Sequence, residues 1–173
     1  MHQLLKISLL TSKLEVIEIN IIELNESNIP EILELWKELF DFNADIEPLF
    51  TRREDAHLNY ESYLKELMKS DDVKIFGAVD DENLIGFIVA KLSYYPPIYL
   101  EEKYGLINDL IVTSSYRRMG IGSRLIEKAR DWFSFLGLKR IELDVVARNK
   151  EAYSFYLRLG FKDYMHKLFL EIK

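Results

Sequence analysis

Polar and apolar residues first alternate between Glu15 and Leu24, with Val16/Ile17, Ile19, Ile21/Ile22 and Leu24 as the apolar set; a first strand is predicted, best defined from Ile19 onward. The period then changes. Ser27 or Asn28 can cap a helix that tolerates Pro30 in its first turn, and Ile32, Leu35, Trp36, Leu39 and Phe40 recur at helical spacing. Asp41 to Phe50 reads as a loop, and a second helix over about Arg52–Lys69 turns Tyr60, Tyr63, Leu64 and Leu67 inward. Two apolar runs, Val73–Val79 and Leu84–Leu92, flank Asp80-Asp81-Glu82-Asn83 and predict a hairpin, with Pro96-Pro97 stopping its second strand.

Tyr104–Val112 predicts another strand. A helix starts near Gly120, carries Ile121, Leu125, Ala129, Trp132 or Phe133, and Leu136 inward, and ends at Gly137. Ile141, Leu143 and Val145 alternate as the next strand. A short helix over about Asn149–Leu159 ends at Gly160, and Phe161–Ile172 closes the chain as strand. The order β-α-α-β-β-β-α-β-α-β predicts an α/β protein with a mixed sheet and helices on both faces, in which the unit from Tyr104 to Val146 is parallel and right-handed.

The 173 residues suit one domain, 1–173, with about 1–14 as an N-terminal extension before the first strand. A formal charge of -6 without lysine or arginine runs argues against nucleic acid as a partner. Cysteine is absent, which excludes disulfides and thiolate nucleophiles and fits a cytoplasmic location. His2, His57 and His166 have no metal-ligand spacing, so no metal is expected. No apolar run approaches the ~20 residues of a membrane span, and the N-terminus lacks the longer apolar region of a signal peptide.

The chemistry concentrates between Asp109 and Ser123, where a strand runs through a turn into a helix led by Gly120-Ile121-Gly122. Free N–H groups and the positive dipole end of a helix favour an anion, and glycines let phosphate oxygens approach. Arg117, Arg118 and Arg124 add positive charge nearby. The same glycines also suit a tight strand-to-helix connection with no ligand. A P-loop is excluded because Ser123-Arg124 follows Gly122, and the dinucleotide pattern fails because Leu125 replaces its third glycine. Downstream, Asn149 and Tyr156 lie two helical turns apart on the face that carries Ala152 and Leu159; taken singly, they read as a helix cap and a core aromatic.

Together these segments resemble the GNAT superfamily. Arg117-x-x-Gly120-x-Gly122 is similar to its Arg/Gln-x-x-Gly-x-Gly/Ala signature. Asn149-x-x-Ala152-x-x-x-Tyr156-x-x-x-Gly160-Phe161 is similar to its second element. The resemblance covers about Ile19–Lys173 and implies an N-acetyltransferase fold and an acetyl-CoA-dependent enzyme. It implies that the amides of Arg118, Met119, Gly120, Ile121, Gly122 and Ser123, after Arg117, cradle the CoA pyrophosphate, and that the backbone of Leu110, Ile111 and Val112 pairs with the pantetheine arm. It further implies that Asn149 contacts that arm or its neighbouring chain, that Tyr156 attends the departing sulfur as general acid, and that an amide near Ile111 meets the oxyanion. The acceptor is then a small-molecule or peptide amine, and a homodimer is in keeping with the family.

A base is left open among Asp109, Asn108 through water, Asp144 and Glu102. Strand alternation places Asn108 and Asp109 on opposite faces. The acidic, aromatic segment Asp41–Phe50 and the tyrosines 94, 95 and 99 are candidates to line an acceptor site, or else plain packing. Two rival functions remain: the same scaffold using a longer acyl-CoA, and a catalytically silent CoA-binding module.

Overall fold

The computed structural model describes residues 18–172. The expected extension at 1–14 and the first residues of the expected opening strand, 15–17, lie outside them. The elements are β1 (Ile19–Glu23), α1 (Ile29–Ile46), α2 (Ala56–Leu67), β2 (Val73–Asp80), β3 (Asn83–Tyr94), β4 (Lys103–Val112), α3 (Ile121–Phe135), β5 (Ile141–Leu143) and α4 (Lys150–Arg158). The sheet runs β1-β2-β3-β4-β5, antiparallel except for the parallel pair β4–β5. No helix among the described residues is long and apolar enough to cross a membrane.

Each face of the sheet carries its own core. On one side Ile32, Leu35 and Trp36 of α1 and Leu64 and Leu67 of α2 pack against Ile75, Phe87, Val89 and Ile111. On the other, Ile121, Leu125, Ala129 and Phe133 of α3 pack against Phe76, Ile88, Ala90 and Ile107. Strand alternation gives β3 to both cores at once, Phe87 and Val89 to one and Ile88 and Ala90 to the other.

Two stretches differ from expectation. Asp41–Ile46 is helix, not loop, because nothing stops α1 before Pro48. Proline disfavours helical backbone in the residue before it, and Glu47 is extended at φ -142 and ψ 104. The expected closing strand over Phe161–Ile172 is absent: no residue from 161 to 172 is in a strand. A strand needs an edge to pair with, and β5, expected to reach Val145, has only three residues. Leu168, Phe169, Leu170 and Ile172 consequently stand exposed.

A β-bulge decides how the sheet meets its surroundings. Val89 pairs with Asp109 and Ala90 with Ile107, so Asn108 has no opposite number. An unpaired residue shifts the alternation by one. Ile107 therefore joins the α3 core, whereas Ile111, four residues on, joins the α1/α2 core. The ladder to β5 covers only Gly105–Ile107 and stops where the bulge begins. Among the described residues, β4 has no strand on that side from Asn108 to Val112.

Candidate active site

The open edge of β4 runs into a turn made for exposed amides. Ser114–Tyr116 forms a short 3-10 turn, Arg118 takes the left-handed conformation at φ 64, and Gly120 does so at φ 80 as the cap of α3. The first backbone amide to close onto α3 is that of Arg124, which donates to the Gly120 carbonyl at 3.1 Å. Among the described residues, none of the amides from Arg118 to Ser123 donates to a backbone carbonyl. No side chain caps α3 either, so among the described residues no hydrogen-bond acceptor competes for these donors.

The two glycines have different reasons. A methyl group on Gly120 would meet nothing within 4 Å, and it is the positive φ that favours glycine there. On Gly122 a Cβ would sit 3.2 Å from the Phe155 ring, so this glycine lets α4 pack close against the start of α3.

The arginines do less for an anion than the sequence suggests. Arg117 Nε donates to the Val112 carbonyl at 3.0 Å, its Nη2 lies 3.5 Å from Glu38, and its guanidinium lies 5.0 Å from the centre of the Phe42 ring. Glu38 also accepts from the Thr113 hydroxyl and the Ser114 amide, both at 3.0 Å, and so ties α1 to the turn. Arg124 reaches back to the Ile19 carbonyl at 2.7 Å. Arg118 is exposed and makes only a long contact with Glu151 at 3.5 Å. Main-chain dipoles at the turn therefore add to the charges of Arg118 and Arg124, while that of Arg117 is answered by Glu38. Glu38 had no signal in the sequence, being one acid among several on an amphipathic helix.

Asn149 caps α4, its Oδ1 accepting from the Ala152 amide at 3.0 Å. Tyr156 is half-buried on α4, edge-on to Phe155 and Phe161. Burial, with the Asp109 charge beside it, pushes its phenol up to about 12.

Asp109 lies on the α1/α2 side of β4. Its Oδ2 accepts from the Tyr60 hydroxyl at 3.0 Å and from the Asn108 amide at 2.8 Å. The expected opposition of Asn108 and Asp109 does not hold, because the bulge brings the two side chains together. Burial raises the Asp109 carboxyl above its ordinary value, and the two hydrogen bonds and Lys91 only partly offset that. Tyr60 is stacked on Trp36 at 4.4 Å, and burial together with Asp109 keeps its hydroxyl protonated. Asp144 and Glu102 are exposed.

Some residues of the expected acceptor-lining segments make contacts within the protein, and others are exposed. Asp41 pairs with Arg52 at 2.8 Å and Glu47 with Arg148 at 3.2 Å. Tyr95 stacks on Tyr104 at 4.4 Å and donates to Glu142 at 2.5 Å, while Tyr94 and Tyr99 are exposed.

Chemically, the site offers an unpaired strand edge suited to an extended amide-bearing chain, ending in amides suited to an anion. A phenol stands on one face of the strand and a carboxylate on the other. This is the fold of N-acetyltransferases. An aminoglycoside N-acetyltransferase solved in complex with CoA superposes with a TM-score of 0.69 at 20% identity, over 90% of this chain and 95% of that one. A mutant protein from Bacillus halodurans superposes with a TM-score of 0.81 at 24% identity, over 89% and 99% of the two chains.

The model of the acetyltransferase (GNAT) family matches residues 29–161, and the chain belongs to that family. An uncharacterized N-acetyltransferase of Methanocaldococcus jannaschii is 34% identical over 58% of this chain and 44% of its own length. One from Archaeoglobus fulgidus is 31% identical over 62% and 69% of the two chains. N-alpha-acetyltransferase 30 of Schizosaccharomyces pombe is 33% identical over 51% and 57%. The matched region thus spans about half to two thirds of these relatives.

Proposed function

We propose that the protein is a cytoplasmic N-acetyltransferase that moves acetyl from acetyl-CoA to a primary amine by direct attack in a ternary complex. The observation that carries this reading is the continuity of the β4 edge with the run of unused amides from Arg118 to Ser123. A pantetheine arm would add along Leu110–Val112 as a strand does, and its diphosphate would end on the amides. Arg117 Nε already occupies one lone pair of the Val112 carbonyl, and the other is left for that pairing. With the thioester laid along the strand, a strand amide near Ile111 would stabilise the oxyanion.

Asp109 is the base in this reading. An amine near pKa 10.4 is protonated at neutral pH, and freeing it costs roughly 4 to 5 kcal/mol at pH 7. A carboxyl raised by burial is a better proton acceptor than an ordinary one. Tyr156, on the other face, meets the leaving sulfur. With its phenol near 12 and a thiol near 8.5, full proton transfer would be uphill by roughly 5 kcal/mol. Tyr156 therefore acts by a hydrogen bond that strengthens as sulfur gains charge, without giving up its proton.

Titration calorimetry with CoA, followed by an amine panel monitored for CoA release, tests the whole reading. No heat from millimolar CoA would end it. Binding without release across a broad panel would leave only a silent binding module, and a panel of acyl-CoAs fixes the acyl length. Tyr156→Phe should lower kcat about 10²-fold while leaving CoA affinity close to wild type; unchanged turnover would remove Tyr156 from the mechanism.

The acceptor is a small-molecule or peptide amine. Self-association through the exposed apolar residues of 164–172 is in keeping with a homodimer, and a monomeric mass in sedimentation would refute it.

A further inference from the structure

Asp109 is held in an asymmetric way. Tyr60 from α2 and Asn108 from the bulge both donate to the same oxygen, Oδ2, at 3.0 and 2.8 Å. Tyr60 cannot turn away easily, because its ring lies flat on Trp36 with an interplanar angle of 14°, and the Tyr63 ring centre lies 5.9 Å from its own. Asn108 can reach Oδ2 only because it is surplus to the β3 ladder, since regular alternation would send its side chain to the opposite face.

We propose that Tyr60 and Asn108 are positioning residues that clamp Asp109 through Oδ2 and thereby leave Oδ1 to take the proton of the incoming amine. The proton passes from the ammonium nitrogen to Oδ1, and the freed lone pair forms the C–N bond to the acetyl carbon. The C–S bond then breaks, CoA leaves as thiolate, and the second proton lost by the nitrogen goes to that thiolate. Neither clamp residue loses a proton. This rests on the reading of Asp109 as the base of an amine acetyltransferase.

Among the described residues, the groups that act on Asp109 are Tyr60 from α2, Lys91 from β3 and Asn108 on its own strand, while the charge of Asp109 is felt across the strand by Tyr156 from α4. A donor to a carboxylate favours the ionised form, so losing one raises the carboxyl's midpoint. The clamp thus sets the basicity of Asp109 as well as its direction.

The test is a pH titration of the full chain carrying 13C-carboxyl aspartate, with Asp109→Asn identifying the resonance. Tyr60→Phe and Asn108→Ala should each raise the Asp109 midpoint by about one pH unit, the shift expected for one charge-assisted hydrogen bond. Tyr153→Phe, which removes a hydroxyl bonded to the remote Asp163, should leave it in place. With one fixed amine, the acid limb of kcat/KM should move with the NMR midpoint.

Tyr60→Phe keeps the ring on Trp36, so the fold survives for the comparison. A midpoint unmoved in both variants overturns the clamp. A midpoint that moves while the kinetic limb stays still overturns Asp109 as the amine's base and leaves the clamp standing as structure only. Wild-type protein without turnover on any amine sinks the functional reading, and the NMR titration still decides whether the clamp exists.

Discussion

Asp109→Asn should lower kcat by about 10²- to 10⁴-fold at neutral pH, the range typical of a lost general base. The amide can still accept from Tyr60, but it cannot carry away the ammonium proton. Raising the pH should recover part of the loss, because a larger share of the amine is then already neutral. A loss smaller than about threefold at pH 7, below any ordinary general-base contribution, would show that water or another group serves the amine.

The same substitution has a second signature of opposite sign. Burial places the folded-state pKa of Asp109 above its unfolded value, so the folded state binds more protons between the two. The resulting penalty is complete above the folded pKa and absent below the unfolded one. Wild-type protein therefore loses stability as pH rises through the folded value, whereas the amide does not titrate. Asp109→Asn should melt at a higher temperature than wild type at neutral pH, with the difference shrinking in acid. A less active and more stable variant is the pattern of a residue kept for function.

Phe133→Ala should be the most damaging substitution for stability. The ring is 1% exposed and lies directly over Gly105, where a methyl group would come within 2.6 Å of it. Glycine at 105 and phenylalanine at 133 are one packing decision, which brings α3 down on the point where β4 meets β5. Emptying the site should cost about 3–5 kcal/mol, a fall in Tm of roughly 6–20 °C for a chain of this size. Calorimetric melting would measure it. A drop under about 2 °C, less than 1 kcal/mol, would show that the core collapses onto the gap.

Much of this architecture was legible in the sequence, and the parts that were not share a cause. The Asp80–Asn83 hairpin, the helix led by Gly120 and the stop at Gly137 are local events, written in turn residues and in side-chain periodicity. The family signature likewise pointed to the turn whose amides prove to be unused. What escaped depends on partners far along the chain. The Tyr60–Asp109 hydrogen bond joins residues 49 apart, and the Glu38–Ser114 bond joins residues 76 apart. Tyr60 looked like one more aromatic on a buried face.

The bulge did leave a trace. Leu106-Ile107-Asn108-Asp109-Leu110 doubles both its apolar and its polar residues, where a regular strand would alternate. Final-strand pairing over Phe161–Ile172 was overestimated for the converse reason, since composition reports β-propensity but not whether an edge is free to receive it.

Asn108 also bears on how such a chain can change over time. Ile107 already sits opposite Ala90 and Asp109 opposite Val89, so a protein shortened by that one residue would keep every core side chain on its present side. The shorter chain would have a continuous ladder and, by that measure, a tidier strand. It would forfeit the bulge and, with it, the Asn108 amide that donates to the carboxylate. Insertion or loss at this point is thus a single genetic step that leaves the interior undisturbed while adding or removing a hydrogen bond to Asp109.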